Sequence, residues 1–197
     1  MWRCTAELGA ADAALGERAA RLLAGAGSRA HARDDMPAAA NLLERALALG
    51  ELGSDRGELL RELASARWRL GNTVEAAHAV VAAIEHAQAA GNVRLEWLCR
   101  LEDAARRNML RGGDDDLVAV ASRAIEIFEA LGDDAGLASA WRRLALASIG
   151  EWRYGDAAAQ AERALEHGVD HVAVHGRARR GGRRAGRAGG APPRRRR

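Results

Sequence analysis

Three histidines late in the chain have the spacing that a metal site on a helix would use. His167, His171 and His175 are four residues apart. Steps of four place side chains on one helical face, where three imidazoles would suit zinc or nickel. Gly168 and the valines between the histidines oppose a stable helix, however, and no nucleophile stands beside them. We therefore interpret the segment as a histidine-containing junction and predict no metal site.

The polar segment from Gly112 to Asp116 is the second place where chemistry could be sought. Its aspartates, Asp114, Asp115 and Asp116, would repel a phosphate, and they lack the spaced oxygen ligands and the terminal glutamate of a calcium loop. The chain contains no lysine, so the usual phosphate-binding loop cannot form. We predict a solvated turn here, no cofactor and a non-enzymatic protein, because no motif assembles a nucleophile, a base and an orienting group.

Positive charge is concentrated at the end of the sequence. Residues 176–197 contain ten arginines and no acid, so with a formal charge of +3 for the whole chain the first 175 residues carry about −7. Such a segment, predicted to be disordered over 167–197, would bind the phosphates of nucleic acid with little sequence preference. On composition we favour a different origin for the arginines, translation of GC-rich DNA out of frame. A third interpretation is that the tail associates with the acidic body. The candidate nucleic-acid contacts are Arg177, Arg179, Arg180, Arg183, Arg184 and Arg187.

The composition predicts an all-α protein. Hydrophobic residues make up 48% of the chain but aromatic residues only 4%, and alanine and leucine favour helices over strands. No segment approaches the roughly 20 apolar residues of a membrane span, so we expect a soluble protein without a membrane partner. Cys4 and Cys99 fit no disulfide or metal pattern, which favours a reducing, cytoplasmic location.

A helix-turn-helix pattern recurs about four times. Pairs of small or apolar residues seven apart mark each copy, at successive offsets of 37, 41 and 40 residues. Small residues let neighbouring helices approach closely. The pairs are Ala39 and Ala46, Ala76 and Ala83, Leu117 and Ala124, and Ala157 and Ala164. In the last copy, Trp141, Tyr154 and Leu165 are expected to fill the remaining space between helices.

This pattern resembles the tetratricopeptide repeat (TPR), as do the turns Gly71-Asn72-Thr73 and Arg153-Tyr154-Gly155. A standard repeat has about 34 residues, and the longer armadillo and HEAT repeats are the alternative arrays. The resemblance implies a right-handed α-solenoid of about four repeats, over 26–52, 56–92, 93–133 and 134–166, after a lead-in helix over 1–25. Such arrays bind a protein or peptide on a concave surface. No polar cap follows the last repeat, so we also expect self-association through its open end.

Two segments are similar to the helical repeats that follow the ATPase module in large bacterial regulators. They are residues 32–46 and residues 128–142. Those regulators join a cyclase or transcription-factor domain to a signal-transduction ATPase and then to repeats. The resemblance implies a non-catalytic scaffold that is part of such a signalling regulator.

Overall fold

The computed structural model describes residues 3–50, 52–111 and 115–168 of the chain, and over these residues it is all-α, without a strand. The chain divides into two compact units, Met1–Arg111 and Gly112–Arg197. The first unit contains α1 (Arg3–Ala32), α2 (Met36–Leu49), a 3-10 turn (Gly53–Asp55), α3 (Arg56–Arg69), α4 (Thr73–Ala89) and α5 (Val93–Arg111). The second contains α6 (Asp115–Leu131), α7 (Asp134–Gly150) and α8 (residues 154–168). None of the described helices is long and apolar enough to cross a bilayer.

The lead-in helix predicted for residues 1–25 is not a separate element. Helix α1 runs unbroken to Ala32 and so includes the first helix of the predicted repeat 26–52. Glycine lowers helix propensity, yet Gly25 and Gly27 do not end this helix. Gly27 is buried against α2, where a Cβ would lie only 2.8 Å from Leu43 Cγ. The contact with α2 therefore offsets the low propensity of the glycines.

Two helix ends show how local residue types fix the turns. The side chain of Asp35 accepts a hydrogen bond of 3.2 Å from the backbone N–H of Ala38, which caps α2, and Pro37 occupies the first turn. Gly91 follows the end of α4 with φ +64°, a left-handed conformation that glycine adopts without steric cost. These caps fix where the hairpins turn.

In the first unit the helices pack as successive hairpins. Helix α1 pairs with α2 and α3 with α4, while α2 also contacts α3 and α4 contacts α5. Helix α3 touches both α1 and α5 as well, so these three helices are neighbours. Alanines occupy much of the core, and their small side chains allow close helix approach. The largest fully buried side chains of the core in this unit are Leu43, Val80, Cys99 and Leu101.

The predicted third repeat, 93–133, does not lie within one compact unit. Its first helix, α5, belongs to the first unit and its second, α6, belongs to the second. The boundary between the units falls between Arg111 and Gly112. The repeat boundaries proposed from the sequence therefore do not coincide with the compact units at this point.

The second unit packs α6 against α7 around Phe128, which is fully buried. The hydroxyl of Ser148 in α7, itself buried, donates a hydrogen bond of 2.9 Å to the side-chain oxygen of Gln160 in α8. Several apolar side chains of α7 and α8 are exposed, among them Leu146, Ile149 and Leu165. Self-association through this end of the array stays a prediction.

Candidate peptide-binding surface

Most of the residues predicted to pack the repeats are buried. Seven of them are at most 5% exposed: Ala39, Ala46, Ala76, Ala83, Leu117, Ala124 and Ala157. Ala164 and Trp141 are half-buried, and the guanidinium of Arg163 lies 5.2 Å from the centre of the Trp141 ring. These side chains contribute to the packing of the helices.

Two of the expected packing contacts in the last repeat are absent. Tyr154 is 58% exposed and Leu165 is 65% exposed, so neither fills space between helices as predicted. Tyr154 stands in the first turn of α8, where its ring makes an edge-on contact with Trp152 instead. A residue in the first turn of a helix has no preceding turn to pack over, because helical side chains point toward the N-terminus.

Helices α1, α3 and α5 form the surface on which polar side chains come together. The Ser28 hydroxyl on α1 donates a hydrogen bond of 2.6 Å to Glu62 on α3. Arg61, the residue before Glu62 on α3, donates a hydrogen bond of 2.7 Å to Glu102 on α5. Polar contacts therefore cross both junctions of this three-helix surface, which we call the α1–α3–α5 face.

A pocket of about 390 Å³ opens between α1 and α3 on this face. Four residues of α1 line one wall at helical spacing, including Gly25 and Ser28, and Glu58, Leu59 and Glu62 of α3 line the other. Pockets that bind small ligands have volumes of roughly 300–1,000 Å³. We refer to it as the α1–α3 pocket.

Beside the pocket, α3 and α5 are joined by a partly buried charge network. Glu102 accepts hydrogen bonds from Arg61 and, at 3.1 Å, from Arg106, while Arg61 also bonds Glu58. The side chains of Arg106 and Glu102 are only 11% and 16% exposed. Burial alone would lower the pKa of Arg61, but its hydrogen bond to Glu58 and the charge of Glu102 hold that pKa above its ordinary value. The network thus keeps its charges and fixes α3 against α5.

Cys99 shows why this region is unsuited to thiol chemistry. It is fully buried, and burial followed by the nearby charge of Glu102 raises the pKa of its thiol to about 12. A thiol with this pKa is almost entirely protonated near neutral pH and is a poor nucleophile or metal ligand. Cys99 therefore acts as a core residue.

The other motifs with possible chemistry are only partly visible. Nδ1 of His167 lies 3.0 Å from a carboxylate oxygen of Asp134, whereas His171 and His175 lie outside the described residues. The arginine tail and Asp114 also lie outside them, so the predictions of nucleic-acid binding and of a solvated turn are untested.

Sequence reasoning missed the polar residues of the α1–α3–α5 face, although the repeat spacing could have found them. Arg61 and Glu102 are 41 residues apart, which equals one of the offsets between successive copies. Ser28 and Glu62 are separated by 34 residues, close to one repeat length. Residues about one period apart lie on equivalent positions of adjacent hairpins, and complementary pairs at that separation are the signal.

No known protein family and no characterised protein sequence matches this chain.

Proposed function

We propose that the chain is a non-catalytic protein-interaction module of TPR-like repeats that binds an extended peptide on the α1–α3–α5 face. The observation that carries the proposal is the contact of α3 with both α1 and α5, beside an open pocket. Stacked repeats create extended concave surfaces that bind ligands, and α1, α3 and α5 lie side by side in this way. The right-handed solenoid of about four repeats belongs to the same proposal.

The charge network supports this function because it makes the surface rigid before a ligand binds. Glu102 and its two arginine partners tie α5 to α3, and Ser28 ties α1 to Glu62. Side chains that are already ordered lose little conformational entropy on binding. The similarity to the repeats of bacterial signalling regulators suggests that the module serves as a cytoplasmic scaffold in a cyclase- or ATPase-linked regulator.

The experiment is a selection of peptides from a random display library on the immobilised full chain, followed by measurement of affinities. Gly25→Gln should block the selected peptides, because its side chain would enter the pocket. A Cβ at Gly25 meets only the flexible end of Arg29, so the variant is expected to fold. Gly155→Gln in α8 is the matched control, since a Cβ there meets nothing within 4 Å. Peptides that bind both variants as tightly as the native chain would contradict the proposed surface.

A second candidate function is nucleic-acid binding through the arginine tail. The observation in its favour is the ten arginines without an acidic residue in 176–197. Replacing Arg177, Arg179, Arg180, Arg183, Arg184 and Arg187 by glutamine should weaken the binding of single-stranded RNA and reduce its dependence on salt concentration. Affinity for RNA that is unchanged by these substitutions would contradict this function.

A further inference from the structure

The α1–α3 pocket combines apolar walls with an excess of carboxylates. Ala24, Leu52 and Leu59 supply apolar surface, and Asp55, Glu58 and Glu62 supply three acidic groups. Among the described residues that line the pocket, Arg21 is the one basic residue, and it is paired with Glu17 on its own helix at 3.6 Å. The pocket is therefore acidic and suited to a ligand that is cationic and partly apolar.

Glu62 is the acidic residue of the pocket that is best placed to pair with a cationic ligand. Its half-buried carboxylate accepts the 2.6 Å hydrogen bond from Ser28, which holds it in place. Among the described residues no arginine lies within salt-bridge distance of it, in contrast to Glu58 and Glu102, which are both paired with Arg61. A cation that entered the pocket would supply the counter-ion that Glu62 lacks among the described residues.

An arginine side chain fits these requirements better than a lysine. The guanidinium is planar, more weakly hydrated than an ammonium group, and able to donate two parallel hydrogen bonds to one carboxylate. Its methylene stem and flat faces can lie on apolar side chains such as Leu59. A volume of about 390 Å³ leaves room for the whole side chain.

We propose that the α1–α3 pocket binds an arginine side chain of a peptide partner, with Glu62 as the group that pairs with the guanidinium. The inference rests on the proposed function, because it names the chemistry of the peptide that the α1–α3–α5 face would recognise. Ser28 is a positioning residue in this arrangement, since its hydroxyl holds the Glu62 carboxylate.

The test uses a fluorescently labelled pentapeptide, Gly-Ala-Arg-Ala-Gly with blocked ends, titrated with the full chain. The comparison peptide carries citrulline, which keeps the shape of arginine without its charge. We expect the arginine peptide to bind at least about tenfold more tightly, in line with the contribution of a hydrogen bond between charged groups. Equal binding of the two peptides would overturn the proposal.

Two substitutions test whether the preference for the arginine peptide comes from the pocket. Glu62→Gln should weaken the arginine peptide about tenfold and leave the citrulline peptide unchanged. Glu85→Gln is the matched control, because Glu85 is an exposed acid of α4 outside the pocket, and it should change neither affinity. The circular dichroism of both variants checks that they fold. A Glu62→Gln protein that is folded and still prefers arginine would contradict the assigned role.

The arginines of the chain's own tail are a competing source of the same group. The titration is therefore repeated with a full-length variant in which all ten arginines of 176–197 are replaced by glutamine. The preference for arginine over citrulline must persist there, and its loss would overturn the proposal.

Failure of the inference is separable from failure of the proposed function. If library-selected peptides are blocked by Gly25→Gln while arginine and citrulline bind equally, the peptide-binding surface stands and the arginine pocket does not.

Discussion

The backbone of α1 at Gly27 lies directly against the side chain of Leu43 in α2. A Cβ at residue 27 would be 2.8 Å from Leu43 Cγ, 2.9 Å from Cδ2 and 3.2 Å from the Leu43 backbone nitrogen. Rotation of the leucine side chain would not make enough room, because the backbone itself is close and Leu43 is fully buried. The closeness of α1 and α2 therefore depends on the absence of a side chain at this position.

Gly27→Ala should destabilise the protein. Overpacking of a core costs about 1–3 kcal/mol, which exceeds the gain of at most ~1 kcal/mol from the higher helix propensity of alanine. Urea denaturation followed by circular dichroism measures the free energy of unfolding. Gly25→Ala is the control in the same helix, because its methyl group meets only the Arg29 guanidinium at 3.3 Å. We expect this control to be neutral or more stable, and equal losses in both variants would contradict the packing argument.

Glu102→Gln should weaken the attachment of α5 to α3. The substitution keeps the size of the side chain but removes the charge that Arg61 and Arg106 share. Loss of charge-assisted hydrogen bonds at a partly buried site is expected to lower the free energy of unfolding by about 1.5–3 kcal/mol. Urea denaturation followed by circular dichroism measures this change in the free energy of unfolding.

The control for Glu102 is an ion pair of the same residue types on the surface. Arg123 and Glu126 in α6 are paired with side chains that are 59% and 61% exposed. Glu126→Gln should change the free energy of unfolding by less than about 1 kcal/mol, because water screens exposed pairs. If Glu102→Gln is as mild as the control, the network contributes little to stability.

The sequence predicted the interior of this protein better than its surface. Small residues seven apart, such as Ala76 and Ala83, repeat along the chain and are buried. The periodic pattern indicates core packing, because every copy has to bury the same face. Polar residues such as Glu62 do not recur at the equivalent position of every copy, because such a residue contributes only where a neighbouring hairpin supplies its partner. A search for complementary polar residues separated by about one repeat length could have indicated them.

Two structural features could not be predicted from local patterns. The sequence predicted a lead-in helix over 1–25 apart from the first repeat, but α1 runs unbroken to Ala32, with Gly27 packed against Leu43. Apolar residue types favoured burial of Tyr154 and Leu165, yet both are exposed. Burial requires a neighbouring surface as well as an apolar side chain, and an amphipathic pattern does not say whether that surface exists.

The ion pair between Asp34 and Arg69 should make stability depend on pH in acid. Arg69 donates a hydrogen bond of 2.8 Å to the Asp34 carboxylate, and this bond holds the pKa of Asp34 below its ordinary value of 3.8. Since the folded protein favours the charged carboxylate, the pair contributes fully well above pH 3.8. Its contribution is lost as the pH falls through the lowered pKa of the folded state.

Comparison with Asp34→Asn isolates that contribution. Asparagine accepts the left-handed backbone of this position, φ +69°, about as well as aspartate. We expect the native chain to be more stable than the variant at neutral pH and the difference to shrink below pH 3.8, as measured by urea denaturation over this range. High salt should reduce the difference at neutral pH, because both side chains are exposed. A difference that grows in acid would contradict the assigned direction.

Gly136→Ala tests the core of the second unit. A Cβ at this position would lie 2.6 Å from Cγ and Cδ1 of Phe128 and 2.6 Å from a carboxylate oxygen of Asp133. The Phe128 ring is fully buried, so it cannot move aside without disturbing the packing of α6 on α7. We expect a loss of about 1–3 kcal/mol, seen as faster amide hydrogen exchange in these two helices. Gly155→Ala, whose methyl group meets nothing within 4 Å, should leave their exchange unchanged. Equal exchange in the two variants would show that α6 can repack around a side chain at residue 136.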